Sequence, residues 1–317
     1  MTDVLNSLVV YWLKDGGGDK FRVPPLEDIL NLQPYPAYVN LMAGNLDIGA
    51  DDNVTIWVPP EIYEPLGRGV LKKLQAKGIK VVLSVLSHKV EWKPNEKPSV
   101  GWSTMTKEDN KHLVHKIGLL KEQINIDGID IDDEWGPKYP PDGAENFYNT
   151  VSAIREAFPH PWVISNAVYL GSPWGDLEKY KKHPDLGQKL MTHCATMSYG
   201  NNYEFIINEV QKIFHDTGKI PKEKLYAGVA PGPVDSKGNV CAELYPGEKK
   251  PYTPSWTSIK VAEEVAKWAK TNCAGVMIWS YSADTVEYTG CPHRKTGWPN
   301  KNDHAWQKAI TSVLTAK

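Results

Sequence analysis

The chain has few cysteines, almost no net charge and no long apolar run, and each of these absences excludes a class of function. Its 36 Lys and Arg against 38 Asp and Glu give a net charge of −2, and without a basic stripe nucleic acid is not an expected partner. No apolar stretch approaches the roughly 18 residues that cross a bilayer, so we expect no membrane partner. The N-terminus lacks a basic region followed by an apolar core. As written, the chain is expected to be cytoplasmic, or secreted if Met1 replaces a native leader.

The four cysteines do not form a metal-binding pattern. Cys194, Cys241, Cys273 and Cys291 show no Cys-x-x-Cys spacing, so we predict no zinc site. Cys194 and Cys273 lie in apolar segments and are expected to be small buried residues. Cys241 and Cys291 lie in loops rich in proline and glycine, and in an exported protein these two could form a disulfide.

Phenylalanine is also scarce, whereas the larger aromatic residues are abundant. The chain has 5 Phe against 12 Trp and 15 Tyr. Trp and Tyr combine a flat apolar face with a hydrogen-bonding group, which suits stacking on sugar rings as well as ordinary packing. The composition therefore favours a carbohydrate ligand.

Short apolar runs rich in Val, Ile and Tyr alternate with stretches of helical periodicity. The runs predict strands at 8–12, 38–43, 79–86, 128–132, 162–167, 193–199, 225–229 and 275–280. Eight strands alternating with helices predict an α/β fold, a (β/α)₈ TIM barrel, as a single domain over residues 1–317. A doubly wound open sheet is the alternative, but the glycine-rich segment 15–18 does not fit the phosphate-loop pattern such a sheet would carry there.

The most informative segment is 127–134, which contains five carboxylates in eight positions. In a strand, Asp130, Asp132 and Glu134 share one face while the isoleucines between them point the other way. Neighbouring acids on that face are about 6.5–7 Å apart, and their mutual repulsion raises at least one pKa, as a general acid requires. A calcium site or a solvated edge strand is the alternative, although the β-branched residues between the acids disfavour both.

The C-terminal ends of barrel strands form the active site, so the other predicted strand ends supply further candidates. The sixth strand ends in Met197 and Tyr199, and the eighth ends in Trp279 followed by Tyr281. Further strand ends contribute Trp12, Asn40, Asn45, Ser87 and Asn166. Carboxylates, a tyrosine hydroxyl and a tryptophan face around one opening are typical of a sugar site.

The acidic segment resembles the D-G-x-D-x-D-x-E signature of glycoside hydrolase family 18, and all five fixed positions match. Residues 84–86 occupy the place of the family's small-residue motif on the third strand. The segment 197–199 resembles its M-x-Y motif, and 275–280 resembles its G-V-M-x-W-S motif. From the order and spacing of these motifs, the chain is identified as a member of the family.

Within the family, the Asp-Asp-Glu sequence followed by Trp135 resembles the endoglycosidase-H-type endo-β-N-acetylglucosaminidases. Many chitinases have an aromatic or apolar residue at the position of Asp133. The chain departs from each subgroup at one position. Met197 stands where the endoglycosidase-H type tends to have Asn, and Gly200 stands where chitinases usually have Asp. The resemblance therefore implies an endo-β-N-acetylglucosaminidase acting on N-glycan cores, with a chitinase as the alternative.

The resemblance implies retaining hydrolysis in which the substrate's own 2-acetamido oxygen is the nucleophile. Glu134 would protonate the glycosidic oxygen and later deprotonate water. Asp132 would hold the acetamido N–H, and Asp130 would share a proton with Asp132. Tyr199 would donate to the acetamido oxygen, and Trp279 would form the floor beneath the sugar. This mechanism needs no cofactor and no metal.

The remaining candidates have less defined roles. Asp127, like Asp130, is expected either to serve the site or to be architectural, and Met197 is expected to pack under the sugar. Asp133 is expected at the rim of the site because of its strand parity. Aromatic residues in predicted loops are candidates for binding distal sugars, namely Trp57, Trp92, Trp102, Trp135, Trp174 and Tyr203.

The expected partner is an N-glycan or another oligosaccharide containing N-acetylglucosamine (GlcNAc), and the protein is expected to be a monomer. An inactive glycan-binding member of the family is a third possibility. Such proteins usually lack the terminal Glu or the paired Asp, and this chain has both, as Glu134 and Asp132.

Overall fold

The computed structural model describes most of the chain, and the fold is stated for those residues. They are 7–13, 25–87, 100–134, 139–171, 175–231, 256–281, 284 and 304–316. Several sequence-based interpretations fall outside them, namely those for the segment 15–18, Trp92, Trp135, Trp174, Cys241 and Cys291. Cys194 and Cys273 are buried free thiols, as predicted.

The described residues form nine strands, of which eight close into a barrel. The strands are β1 (Ser7–Leu13), β2 (Tyr38–Ile48), β3 (Val54–Trp57), β4 (Lys80–Leu86), β5 (Gly128–Asp132), β6 (Val163–Val168), β7 (His193–Thr196), β8 (Leu225–Val229) and β9 (Gly275–Ile278). All except β3 run parallel, each beside the next in chain order, and β9 pairs with β1 to close the ring. The predicted TIM barrel is confirmed.

The strand β3 is an addition that the sequence pattern did not predict. It pairs antiparallel with the far end of β2, where Trp57 lies opposite Asn45. A turn joins the two strands and is closed by a 2.8 Å hydrogen bond from Gly49 N to Asn53 O. Because β3 lies outside the ring, β5 is the fourth barrel strand, β7 the sixth and β9 the eighth.

Helices cover the outside of the barrel. They are α1 (Pro60–Gly67), α2 (Val70–Ala76), α3 (Lys107–Ile124), α4 (Gly143–Ala157), α5 (Asp176–Lys182), α6 (Tyr203–Ile207), α7 (Ile259–Asn272) and α8 (Ala305–Thr315). Two π-helical stretches, Leu186–Leu190 and Asn208–Thr217, and two short 3₁₀ helices, Leu26–Asn31 and Lys222–Lys224, complete the shell. No helix in the described ranges is long and apolar enough to span a membrane.

The core has two layers because successive side chains of each strand point to opposite faces. On β1, Val9 and Tyr11 point into the barrel, while Leu8, Val10 and Trp12 belong to the apolar layer beneath the helices. Both faces are buried, so the barrel strands show no contrast between an apolar and a polar side. Polar side chains also lie inside the barrel: Asp130 and Ser165 are near its middle, and His193 lies at its N-terminal end against the rings of Tyr38 and Tyr226.

The first residue of β5 leaves no room for a side chain, which generates a stability prediction. A Cβ atom at Gly128 would lie 2.2 Å from the carbonyl oxygen of Val163 on the neighbouring strand. We expect Gly128→Ala to force β5 and β6 apart and to lower the free energy of unfolding by about 1–3 kcal/mol, as overpacking typically does. Urea denaturation measures this change.

The matched control is Gly118→Ala within α3. A Cβ atom there would meet no heavy atom closer than 3.9 Å, and alanine favours a helix over glycine by about 0.5–1 kcal/mol. We therefore expect Gly118→Ala to stabilise the protein slightly. Equal effects of the two substitutions would contradict the close approach of β5 and β6.

Candidate active site

A cavity of about 420 Å³, termed the pocket below, opens at the C-terminal ends of the barrel strands. Its lining consists of Tyr11, Met42, Leu86, Asp132, Glu134, Ala167, Tyr169, Met197, Tyr199, Phe205 and Trp279. These residues come from β1, β2, β4, β5 and β6 and from the segments that follow β7 and β9. The lining is mainly apolar and aromatic, with two carboxyl groups on one wall.

The structure brings five of the predicted site residues together in the pocket. Glu134, Asp132, Tyr199, Trp279 and Met197 all line it. Their convergence follows from the fold, because the ends of parallel strands in a closed barrel meet around one opening.

Asp130 and Asn40 lie inside the barrel, where both side chains are almost completely buried. Asp130 precedes Asp132 by two residues on β5 and therefore shares its inward face. Asn40 has the same inward orientation on β2, and no described residue forms a hydrogen bond with its side-chain amide. Both residues lie inside the barrel, beneath the acids of the pocket.

Asp130 is held in place by hydroxyl groups from three other strands. Its Oδ2 accepts hydrogen bonds from Tyr11 Oη and from Ser84 Oγ, both at 2.8 Å. Its Oδ1 accepts a 2.7 Å hydrogen bond from Ser165 Oγ. Burial raises the pKa of Asp130 to about 6, although these hydrogen bonds oppose the shift by favouring the carboxylate.

Asp132 differs from Asp130 because one of its oxygens has no protein partner. Among the described residues, no donor reaches Asp132 Oδ1, although the side chain is only 3% exposed. Burial raises the pKa of Asp132 well above its ordinary value, and the negative charges of Glu134 and Asp130 raise it further. A buried, unsatisfied carboxyl on the pocket wall is suited to bind a polar group of a ligand.

Aromatic rings form the opposite side of the pocket. The rings of Tyr199 and Trp279 are nearly parallel, with an interplanar angle of 21° and centroids 6.4 Å apart. The ring of Tyr11 packs against Trp279 at 5.4 Å. Burial raises the pKa of Tyr199, and the charges of Asp132 and Glu134 add to this effect, so its hydroxyl remains a hydrogen-bond donor.

Asp127, predicted as a substrate-binding residue, lies at the opposite end of the barrel. It precedes β5 and accepts hydrogen bonds from Lys80 Nζ at 3.0 Å, Gln75 Nε2 at 2.9 Å and Val81 N at 3.0 Å. These bonds connect α2, β4 and β5. Of the two roles expected for Asp127, binding substrate or holding the fold together, its position fits the second.

Three more predicted binding residues point away from the pocket, into the layer beneath the helices. Trp12 belongs to that apolar layer, and the ring of Tyr281 packs 5.1 Å from the ring of His304. Asn166 donates to Ile131 O at 2.7 Å and accepts a hydrogen bond from Tyr180 Oη of α5. Strand parity turns the side chains of Trp12 and Asn166 outward, whereas Tyr281 lies three residues beyond the end of β9.

The expectation that Asp133 is a rim residue is wrong. Its side chain is buried, and it accepts hydrogen bonds from Ser87 Oγ and Ser103 Oγ, both at 2.7 Å. It also forms an ion pair with Lys179, whose Nζ lies 2.6 Å from Asp133 Oδ2. The predicted outward orientation is correct, but the outer face of β5 at this point is covered by α5.

The aromatic candidates for distal sugars differ in exposure. Trp57 is 50% exposed, although it lies on β3 rather than in a loop. Trp102 is fully buried and donates from Nε1 to Val85 O at 2.9 Å, so its ring cannot reach a ligand. Tyr203 begins α6 and packs partly buried against the core.

Several residues of the site were not predicted. Ser165 and Ser84 lie opposite Asp130 in the strand register, so a correct register would have identified them. Tyr11 is the inward neighbour of Trp12 in a strand that is buried on both faces. The unpredicted residues of the pocket lining are Tyr11, Met42, Leu86, Ala167, Tyr169 and Phe205.

Solved chitinase structures share this fold. A chitinase from Bacteroides thetaiotaomicron superposes with a TM-score of 0.64 at 15% identity, covering 98% of this chain and 97% of that one. A glycoside hydrolase family 18 chitinase from Pseudoalteromonas aurantia gives 0.61 at 18% identity, covering 97% and 99%.

A mutant of catalytic domain 2 of an Ostrinia furnacalis Group II chitinase, in complex with penta-N-acetylchitooctaose, gives a TM-score of 0.61 at 16% identity, covering 98% and 97%. Neither the scan against protein-family models nor the search of curated proteins finds a match. Identities this low establish a common barrel fold and not a common activity.

The raised pKa of Asp130 generates a prediction about pH and stability. Because the folded state binds this proton more tightly than the unfolded state, the stabilisation is present below pH 4 and is lost as pH rises through about 6. A shift of about two pKa units between the unfolded and folded states corresponds to about 3 kcal/mol in the free energy of unfolding. We expect the free energy of unfolding to fall less between pH 4 and pH 7 in Asp130→Asn than in the wild type.

Urea denaturation at a series of pH values measures how steeply the free energy of unfolding falls with pH in the wild type and in Asp130→Asn. Asp142→Asn, at the exposed N-terminus of α4, is the matched control and is expected to follow the wild type. A slope in Asp130→Asn as steep as the wild-type slope would show that Asp130 does not take up a proton in this range.

Proposed function

We propose that the protein is a glycoside hydrolase of family 18 that cleaves β-1,4 bonds of GlcNAc by substrate-assisted catalysis. The observation that carries this proposal is the acid column at the end of β5, composed of Asp130, Asp132 and Glu134. Asp132 and Glu134 line the pocket, and no donor among the described residues reaches Asp132 Oδ1. The shared barrel fold of family 18 chitinases supports it, as do the matched sequence motifs.

In the first step, Glu134 donates its proton to the glycosidic oxygen and the bond from that oxygen to the anomeric carbon breaks. The acetamido oxygen of the same sugar attacks the anomeric carbon from the opposite face, forming an oxazolinium ion. Asp132 accepts a hydrogen bond from the acetamido N–H and stabilises the developing positive charge. Tyr199 donates to the acetamido oxygen and holds it in line.

In the second step, Glu134 accepts a proton from water, and the water oxygen attacks the anomeric carbon. The bond to the acetamido oxygen breaks, so the product retains the β configuration after two displacements. Asp130 shares a proton with Asp132 in this mechanism, since burial raises the pKa of both carboxyls above the ordinary aspartate value.

We further propose that the preferred substrate is the chitobiose core of an N-glycan, which makes the protein an endo-β-N-acetylglucosaminidase. The Asp-Asp-Glu sequence at 132–134 favours this choice. Chitin is the second candidate, and the fold shared with chitinases favours it. Both substrates contain the 2-acetamido group that the mechanism requires.

Beyond the pocket, Trp57 is a candidate platform for a more distant sugar. Leu86 of the pocket wall pairs with Asn45, and Asn45 pairs with Trp57, so the three side chains form a row on one face of the sheet. Two strand spacings place Trp57 about 10 Å from the pocket wall. Its half-exposed ring can stack on a sugar.

The experiment that tests the function compares two substrates by mass spectrometry of the products. We expect the wild-type protein to leave one GlcNAc on a high-mannose glycoprotein and to release the remaining glycan. Products from chitin oligomers without glycoprotein cleavage would instead establish the chitinase. Cleavage of neither substrate would contradict the proposed activity.

The variant Glu134→Gln provides the mechanistic control, because glutamine has nearly the same shape and cannot donate the required proton. We expect a loss of about 10²–10⁴-fold in turnover with glycan binding retained. Glu108→Gln, at an exposed position on α3, should cleave at the wild-type rate. Unchanged turnover in Glu134→Gln would contradict the assigned role.

A further inference from the structure

Behind the acid column lies a buried ion-pair cluster composed of Lys179, Asp133 and Asp176. The Nζ atom of Lys179 is 2.6 Å from Asp133 Oδ2 and 2.9 Å from Asp176 Oδ1. None of the three side chains is more than 2% exposed. Buried ions are costly unless each is paired and hydrogen-bonded, so the position of the cluster within the fold requires an explanation.

The cluster anchors the end of β5 between the two acids of the pocket. Asp133 lies between Asp132 and Glu134, and its carboxylate is bound by Lys179 together with the hydroxyls of Ser87 and Ser103. Three donor atoms in three separate segments thus fix one side chain. Because consecutive strand residues point in opposite directions, fixing Asp133 on the outer face fixes its neighbours on the inner face.

The same cluster also holds the next strand. Asp176 Oδ2 accepts a 2.9 Å hydrogen bond from the backbone N–H of Tyr169, which lines the pocket just after β6. On the other side, the backbone N–H of Ser87 after β4 donates to Asp132 O at 3.3 Å. The cluster therefore joins the ends of β4, β5 and β6 to the first turns of α5.

With both carboxyls ionised beside one ammonium group, the cluster carries a net negative charge. Burial raises the pKa of Asp176, and the charge of Lys179 opposes this shift. The carboxylates raise the pKa of Lys179, so it stays charged despite its burial. Burial is the largest cause of the raised pKa of Asp132, followed by the charges of Glu134 and Asp130. The charges of Asp176 and Asp133 make smaller contributions in the same direction. The cluster therefore contributes to the proton affinity of the pocket.

Among the described residues, the other side chains that face Lys179 do not compensate this charge. From α4, the ring of Phe147 lies 4.4 Å from Lys179 Nζ, and before α4 the ring of Tyr139 lies at 5.8 Å. Burial raises the pKa of Tyr139 to about 12, so the phenol stays neutral. On α5, Glu178 pairs with Lys182 at the surface.

We infer that Lys179 is a positioning residue for Asp132 and Glu134, and that Asp176 tunes the protonation of Asp132 from outside the pocket. This inference rests on the proposed function for its kinetic consequences only. Lys179 and Asp176 do not contact the substrate. They act through Asp133 and through the ends of the strands that they hold in place.

The first test measures the ionisation of Asp132 without any substrate. Carbon-13 NMR of labelled carboxyl groups, with the Asp132 resonance identified by its loss in Asp132→Asn, gives the pKa of Asp132. Asp176→Asn keeps the shape and the oxygen that accepts from Tyr169, while its amide nitrogen replaces the oxygen that accepts from Lys179. In this variant we expect the pKa of Asp132 to fall by about one unit. An unchanged pKa would overturn the tuning role.

The second test uses steady-state kinetics on the substrate that the wild-type protein cleaves. A displacement of about 1 Å in a reacting group can cost about 10²-fold. We therefore expect Lys179→Met to lower kcat at least about tenfold with KM within about twofold, and Lys179→Arg to restore part of kcat. The acidic limb of the kcat profile in Asp176→Asn should move to lower pH.

The matched control is Lys224→Met, since Lys224 is a partly buried lysine that donates to Gln188 O and Met191 O at the opposite end of the barrel. This variant is expected to lose stability while keeping the wild-type kcat and pH profile. Equal losses of kcat in Lys179→Met and Lys224→Met would show a merely structural role and overturn the inference.

Failure of the inference and failure of the proposed function are distinguishable. A wild-type protein that cleaves no GlcNAc substrate contradicts the function, whereas the NMR titration still decides the coupling between Asp176 and Asp132. If Lys179→Met does not fold, Lys179→Arg and Asp176→Asn decide the inference, because both keep a hydrogen-bonding group in place.

Discussion

The burial of Asp130 and Asp132 on the inner face of β5 is the constraint on which the rest of the site depends. A carboxylate removed from water is destabilising unless donors replace its hydration. The barrel supplies those donors to Asp130 through Tyr11, Ser84 and Ser165. No donor from the described part of the chain reaches Asp132 Oδ1. The fold therefore loses stability at the atom that, in our proposal, binds the substrate.

The outer face of the same strand end has the opposite character. Asp133 is fully bound by Lys179, Ser87 and Ser103. The hydrogen bonds of Asp133 hold the end of β5 in place on its outer face. On the inner face, Asp132 Oδ1 lacks a donor among the described residues and lowers the stability of the fold. Such rigidity suits a site whose carboxyls must keep their separation while protons move between them and the substrate.

Sequence periodicity was sufficient to predict the barrel and the acid column. Strands and helices alternate along the chain, and the two-residue period of β5 separates Asp130, Asp132 and Glu134 from the isoleucines whatever the surrounding structure is. The partners of these acids required the strand register, which follows from the assembled barrel. Ser165 is an example, since only the pairing of β5 with β6 identifies it.

The errors have a common physical origin. Barrel strands are buried on both faces, so residues such as Tyr11 and Trp12 are alike in hydrophobicity although one lines the pocket and the other lies beneath the helices. The strand β3 follows a loop-like sequence and forms only because the extended end of β2 offers it an edge. Strand parity alone predicts a rim position for Asp133, because nothing in its neighbourhood along the chain indicates Lys179, which lies 46 residues away.

The anomeric configuration of the first product formed tests substrate-assisted catalysis most directly. Proton NMR of a chitin oligomer or a GlcNAc-containing glycan, recorded during the first minutes of cleavage, distinguishes the two anomers before mutarotation mixes them. Our account predicts that the β anomer appears first, because the acetamido oxygen and then water each invert the same carbon. Initial formation of the α anomer would require direct attack by water and would contradict the account.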